Sequence, residues 1–290
     1  MIKLIASDMD GTLLDSNHGI TKENLLLINK AKENSIIFTI ATGRRYEDVL
    51  PILKENNIKC QCIVMNGAEY RDEEGKILDS IYLSKEKSRE ILEVLKEHGF
   101  NIEIYTDKGL YCTTSKEEAL NQAALRIMSY SSNNISFEKA LKEAHNHPHF
   151  KELNYITNVE EFLESNIEIA KFVVFFDTIE KTKYAKNALK DIEGIAVSGS
   201  FERNIEINNI KAQKGIILTK VIKKMGLNKD EVAVMGDSYN DYSMFKEFTE
   251  TYAMGNAIKE IKEIAKYITE TNDNSGVAKA IEKIISSNKR

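Results

Sequence analysis

The chain has 290 residues, of which 42% are hydrophobic, enough for a sizeable core and for about two domains. Its 40 Lys and Arg against 45 Asp and Glu leave a net charge of -5, which excludes a general attraction to nucleic acid and requires that any anionic ligand be held by locally placed cations. Three cysteines, Cys60, Cys62 and Cys112, make neither a paired disulfide framework nor a CxxC motif, and no apolar run approaches membrane-spanning length. Free buried thiols in a cytoplasmic protein without membrane partners are expected.

Leu4, Ile5 and Ala6 read as a strand buried on both faces, broken by Gly11 and Thr12. Asp8 and Asp10 therefore stand at a strand end, two residues apart, where extended chain points both carboxylates to one side. Such a pair repels unless a cation or a shared proton intervenes, and a hard divalent ion such as Mg2+ suits oxygen ligands. An EF-hand loop starting at Asp8 is excluded, because its sixth and twelfth positions are Leu13 and Gly19 rather than Gly and Glu.

Thr21 can cap a helix running to about Asn34, with Leu25, Leu27, Ile28 and Ala31 apolar. Ile36 to Ala41 is a second strand, ending at Thr42-Gly43-Arg44, where a hydroxyl and free N–H groups at a strand-to-helix junction can seat a phosphate. Ile63 to Met65 is a third strand, ending in Asn66-Gly67, and Ala68 to Arg71 with Ile77 to Ile81 form a hairpin around Glu74-Gly75. Strands alternating with helices predict a parallel sheet with helical crossovers.

The texture changes near Ser84. A helix over 85–98 with Ile91, Val94 and Leu95 on one face precedes a hairpin, Ile102 to Tyr105 and Leu110 to Thr113. Helices follow over Glu117 to Tyr130, Phe137 to Ala144 and Val159 to Glu164, then the apolar strand Ile169 to Phe176, a helix over Lys181 to Lys190, and short strands Ile195 to Ser198 and Asn204 to Ile207. The sheet pattern resumes with a helix over Ile216 to Met225, whose Leu218, Val221, Ile222 and Met225 share a face. Val232 to Met235 is the next buried strand and runs into Gly236-Asp237-Ser238-Tyr239-Asn240-Asp241, a second acidic cluster at a strand end. Tyr252 to Met254 and a closing helix with Val277, Ile281, Ile284 and Ile285 complete the chain.

These stretches, with Lys214-Gly215 opening a helix, fall at the edge where open α/β sheets bind ligands. Together they resemble the haloacid dehalogenase superfamily of phosphatases, in its Cof-type members with the larger α/β cap. Asp8-Met9-Asp10-Gly11-Thr12, Thr42, Lys214 and Gly236-Asp237 with Asn240-Asp241 are similar to the four family motifs. Asn66-Gly67-Ala68, Ala253-Met254-Gly255-Asn256-Ala257 and Gly276-Val277-Ala278 match the Cof-type pattern. Ile210-Lys211-Ala212-Gln213 lacks the Gly-containing turn of the family before Lys214. The resemblance implies an α/β fold, a Rossmann-like parallel-sheet core over 1–82 and 194–290 with an inserted α+β cap over 83–193.

It further implies a phosphatase in which Asp8 is the nucleophile and Asp10 the acid and base. Mg2+ would sit on Asp8, the Asp10 carbonyl and Asp237, with Asp241 in an outer position. Met9 and Gly43 N–H, Thr42, Lys214 and Asn240 would bind phosphoryl oxygens. The partner is a small phosphorylated metabolite, with no nucleic acid and no membrane. A phosphomutase of the same fold and a non-catalytic phospholigand sensor are the alternatives. Lys171, at the edge of the aromatic run Phe172 to Phe176, is the candidate substrate contact in the cap. His145, His147 and His149 lack an acid or cysteine to complete a zinc set and are read as a solvated loop.

Overall fold

Apolar runs of four or five residues cannot bury both faces as isolated helices, but they can as central strands of a parallel sheet covered by helices on either side. The computed structural model describes residues 1–130 and 135–289, with the backbone alone at Tyr130. Two compact units result: Met1–Ser80 joined with Ala212–Arg290, and the continuous segment Ile81–Lys211. In chain order the strands are β1 (Leu4–Ser7), β2 (Ile37–Ala41), β3 (Gln61–Val64), β4 (Glu69–Arg71), β5 (Ile77–Ser80), β6 (Glu103–Thr106), β7 (Gly109–Cys112), β8 (Asn154–Tyr155), β9 (Ile169–Phe175), β10 (Ile195–Ser198), β11 (Asn204–Asn209), β12 (Val232–Gly236), β13 (Glu250–Ala253) and β14 (Tyr267–Ile268).

The first unit carries an eight-stranded sheet in the order β14-β13-β12-β1-β2-β3-β4-β5. It is parallel from β14 to β3 and antiparallel through the β3-β4-β5 meander. The chain winds from β1 outward through β2 and β3, and later from β12 outward through β13 and β14. The winding therefore reverses between β1 and β12, and the crevice beyond their C-terminal ends is the ligand position of such sheets. Every residue of β1 and β12 is buried, as the apolar runs required.

Helices pack on the sheet. The helix Lys22–Glu33 starts at Thr21, whose side chain accepts from Asn24 N–H, and it buries Ile28 and Ala31. Asn24 is buried with it, donating to Leu13 O at 3.2 Å and accepting from Ala278 N at 2.9 Å, which ties the loop after β1 to the closing helix Gly276–Asn288. The helix Lys214–Lys224 approaches the following helix closely, since a Cβ on Gly215 would lie 2.2 Å from the Ser243 carbonyl oxygen. Gly215→Ala is expected to destabilise the protein by at least about 1–3 kcal/mol, because the obstacle is backbone and cannot turn aside; urea unfolding of the two proteins measures it.

The second unit is a six-stranded sheet in the order β10-β11-β9-β6-β7-β8. One face packs Ile104, Phe172, Val174, Ile205 and Ile207 against Ile91, Leu92 and Leu95 of the helix Lys85–Glu97. The boundary at 193 expected from sequence needs correction. β11 pairs antiparallel with β9, with Ile205 opposite Val174, and β10 pairs with β11, so residues 194–211 belong to the second unit. Short strands carry no sequence signal of which sheet they will join; hydrogen-bond register decides it. The short helix Pro148–Lys151 and strand β8 were not expected either.

Candidate active site

Three adjacent parallel strands deliver the site. β1 ends at Ser7 and is followed by Asp8, whose N–H donates to Met235 O on β12 at 3.1 Å. β2 ends at Ala41 and is followed by Thr42, and β12 ends at Gly236 and is followed by Asp237. Lys214 is the first residue of its helix, and its ammonium is fully buried, donating to Asp8 Oδ1 at 2.6 Å and Asp241 Oδ1 at 2.7 Å. The other oxygen of Asp241 accepts from the N–H groups of Asp237 (2.9 Å) and Ser238 (3.1 Å), so this carboxylate is held on both sides. A cation at a helix N-terminus opposes the helix dipole, and two carboxylates compensate it here.

Carboxylate oxygens of Asp8, Asp237 and Asp241 lie within 4.8 Å of one another. Burial raises the Asp8 carboxyl to about 7, with Asp241 adding repulsion and Lys214 opposing it. Burial and then the charges of Asp8 and Asp241 push Asp237 well above the usual carboxylate range. Burial also works against charge on Lys214, yet Asp241 and Asp8 outweigh it and hold its pKa above the ordinary value. Three carboxylates on one lysine are short of positive charge, and this oxygen-only set fits a hard divalent cation.

Asp10 stands apart from that cluster. Its carboxylate accepts from Arg44 Nε at 2.8 Å and Arg44 Nη2 at 2.6 Å, a two-pronged ion pair. Burial raises the Asp10 carboxyl, but Arg44 outweighs it and holds the group below the ordinary value. Arg44 was not singled out in the sequence; its place two residues after Thr42 was the available signal. Thr42 is buried, its Oγ1 accepting from Arg44 N–H at 3.2 Å.

Backbone turns bring the remaining groups in. Met65 and Asn66 both adopt left-handed φ values, 50° and 61°, and Asn66 N–H donates to Thr42 O at 2.9 Å. Asn240 Nδ2 donates to Asn66 Oδ1 at 3.3 Å, so Thr42, Asn66 and Asn240 are connected. Met9 lies in the turn after β1, its carbonyl accepting from Thr12 and Leu14 N–H groups, and Thr12 Oγ1 donates to Asp237 Oδ1 at 3.0 Å. Gly11 has φ 75°, which favours glycine, and a Cβ there would sit 2.5 Å from Asp237 Oδ2 and displace that carboxylate. Asn256 Nδ2 donates to Gly11 O at 2.8 Å and anchors the turn.

A family profile for haloacid dehalogenase-like hydrolases matches residues 5–281. The chain belongs to that family. This haloacid dehalogenase-like hydrolase is 32% identical over 280 residues to phosphatase YwpJ of Bacillus subtilis, covering 96% of this chain and 98% of that one. It is also 32% identical over 287 residues to the B. subtilis 5-amino-6-(5-phospho-D-ribitylamino)uracil phosphatase YwtE, covering 98% and 99%. Among solved structures it resembles a haloacid dehalogenase-like hydrolase from B. subtilis, with a TM-score of 0.85, 30% identity and 97% and 99% coverage. The Rossmann-like parallel core with a second α+β unit is the fold of the family, and the enzyme is a phosphatase.

The residues outside this cluster fall differently. Lys171 lies within the buried strand β9 beside Phe172, ion-paired to Glu206 and 4.7 Å from the Tyr105 ring centroid. The three histidines do not converge. His149 is buried, its Nε2 2.8 Å from Glu103 Oε2 and 2.6 Å from Arg126 Nη1, while His147 Nδ1 accepts from His149 N–H as a helix cap and His145 packs beside Phe150. Their solvated-loop reading is corrected: His145 lies in the last turn of the helix Phe137–Asn146, His147 caps the helix Pro148–Lys151, and His149 is buried in that helix against Glu103 and Arg126. No helix among the described residues is long and apolar enough to cross a membrane.

Proposed function

We propose that this enzyme is a Mg2+-dependent hydrolase of small phosphomonoesters, sugar phosphates or phosphorylated cofactors, working through an aspartyl-phosphate on Asp8 in the cytoplasm. The observation that carries the proposal is the buried Lys214 bridging Asp8 and Asp241 beside Asp237. A lysine stripped of water to bridge two buried acids adds little to folding, but it offsets the repulsion between a carboxylate nucleophile and a phosphate dianion.

Lys214 engages Oδ1 of Asp8, and Oδ2 is the proposed attacking oxygen. Asp8, Asp237 and the Asp10 carbonyl would hold Mg2+, with Asp241 as the outer partner. The ion would add positive charge against the phosphoryl oxygens as charge moves onto the leaving group. Thr42, the N–H groups of Met9 and Gly43, Lys214 and Asn240 are assigned to those oxygens. Asp10 is assigned the proton: it gives one to the leaving alkoxide, then takes one from the water that cleaves the phospho-enzyme. The Arg44 pair favours its ionised form, which suits the second step; for the first, Asp10 has to leave Arg44 and carry a proton.

The test is phosphate release over a panel of phosphomonoesters, a phosphorylated ribitylaminouracil of the kind named for YwtE included, with Mg2+ and with chelator. Release from at least one substrate without a bisphosphate activator is expected and separates hydrolysis from a mutase. Binding without release across the panel would leave only a sensor.

The second unit is assigned the choice of leaving group, with Lys171 as the first residue to test. Lys171→Ala should alter relative kcat/KM across the panel while leaving Mg2+ dependence intact. It also strips the buried Glu206 of its cation, with the neutral donors Ser200 and Asn204 remaining on its Oε1, at a cost of about 3–5 kcal/mol. Thermal unfolding therefore has to accompany the kinetics, and Lys171→Met with Glu206→Gln, which removes both charges, is the control. A uniform loss across the panel that this double variant restores would make Lys171 purely structural.

A further inference from the structure

A carboxylate that moves a proton needs a fixed direction as well as a charge, because proton transfer depends on hydrogen-bond geometry. Asp10 is gripped side-on by Arg44, whose Nε donates to Oδ2 at 2.8 Å and whose Nη2 donates to Oδ1 at 2.6 Å. Two parallel bonds fix the plane of a carboxylate, which a single bond does not. A quarter or less of each side chain is exposed, so water competes little for the pair. Arg44 is fixed in turn: its N–H donates to Thr42 Oγ1 at 3.2 Å, and its carbonyl accepts from Met65 N–H at 2.9 Å. The turn after β2 therefore aims the acid that follows β1. Lys214 cannot take this part, since its ammonium is committed to Asp8 and Asp241.

We propose that Arg44 is a positioning residue for the second chemical step, holding the Asp10 carboxylate in the orientation in which it takes a proton from water. The inference rests on the aspartyl-phosphate reading of Asp8 and Asp10. In that step the water oxygen bonds to phosphorus, the bond from Asp8 Oδ2 to phosphorus breaks with its electron pair returning to Asp8, and one water proton passes to Asp10. Arg44 touches none of the reacting atoms; it acts through Asp10. The first step is different. Protonating an alkoxide takes Asp10 out of the fork, and an activated leaving group needs no proton at all, so with such a substrate the transfer to Asp8 is independent of the Arg44 pair. Loss of Arg44 is therefore felt in one half of the reaction and spared in the other.

The test is stopped-flow release of nitrophenolate by the full chain from saturating p-nitrophenyl phosphate with Mg2+. Arg44→Met should release a first equivalent at the wild-type rate and then turn over about tenfold or more slowly, because only cleavage of the phospho-enzyme is impaired. Asp10→Asn should show the same two phases. The double variant should turn over no more slowly than Asp10→Asn alone, since the two residues act as one unit. Arg44→Lys keeps the charge without the planar fork and should behave like Arg44→Met. A loss of folded protein lowers both phases together, so the split between them separates positioning from a structural role. Equal loss in both phases, full recovery by Arg44→Lys, or a double variant about tenfold slower than Asp10→Asn would overturn the proposal. Release that persists in Asp8→Asn, or none from the wild type, would instead fail the aspartyl-phosphate reading beneath it.

Discussion

Asp8→Asn should lower turnover by at least about a thousandfold while leaving a folded protein. The amide is a far poorer nucleophile toward phosphorus than a carboxylate, and the change also removes one negative ligand from the Asp8, Asp237 and Asp241 cluster. Folding should survive, because Lys214 keeps Asp241 at 2.7 Å and an amide oxygen can still accept at the position of Asp8 Oδ1. Loss of a buried lysine's only partner would be costly, but here a partner remains. Single-turnover phosphate release, with circular dichroism on the same preparation, measures both halves of the expectation. Near wild-type turnover in the folded variant would sink the covalent mechanism.

Removing the metal should abolish activity, Mg2+ should restore it, and Ca2+ should substitute poorly, since its looser and higher coordination disturbs an in-line geometry set by an octahedral ion. A readout independent of turnover follows from the acids themselves. In the metal-free protein the Asp8 carboxyl is raised to about 7, from an unfolded value near about 4. The folded protein then holds a proton that the unfolded chain gives up between those values. This contribution to stability is fully present below about pH 4 and is lost as pH rises through about 7. Asp237, raised by burial and by Asp8, acts in the same direction. A cation bound to the ionised cluster offsets that loss, so the rise in melting temperature on adding Mg2+ should be larger at pH 8 than at pH 5. Full activity after exhaustive chelation, or an Mg2+ shift that is equal at the two pH values, would remove the metal from this site.

The strands that hold the site were legible because each is a short apolar run broken by Gly or by an acid: Leu4-Ile5-Ala6 before Asp8, Ile40-Ala41 before Thr42, Val232 to Met235 before Asp237. Arg44 was visible in the sequence as a neighbour of Thr42, but nothing local says that its guanidinium reaches back across 34 positions to grip Asp10. Asn66 likewise stood in a quoted motif without a role. Its left-handed backbone, and its bonds to Thr42 and Asn240, exist only once β2 and β3 are side by side. The second unit was read less well. Lys171 reads only as the neighbour of an aromatic run until the pairing of β9 with β11 brings Glu206, 35 residues later and diagonal to it, onto its ammonium.

The sequence by itself determined the chemistry available: which strands end in carboxylates, which helix opens with a lysine, and that the chain carries four motifs of one phosphatase family. Those features are local, since burial on both faces and breakage by Gly or Asp are properties of a few consecutive residues. Only the tertiary structure decided the charge balance among Asp8, Asp237, Asp241 and Lys214, the capture of Asp10 by Arg44, and the membership of β10 and β11 in the second sheet. Each of these depends on partners tens to hundreds of residues apart. Coulomb energy and hydrogen-bond register are set by distance in space, which no stretch of sequence contains.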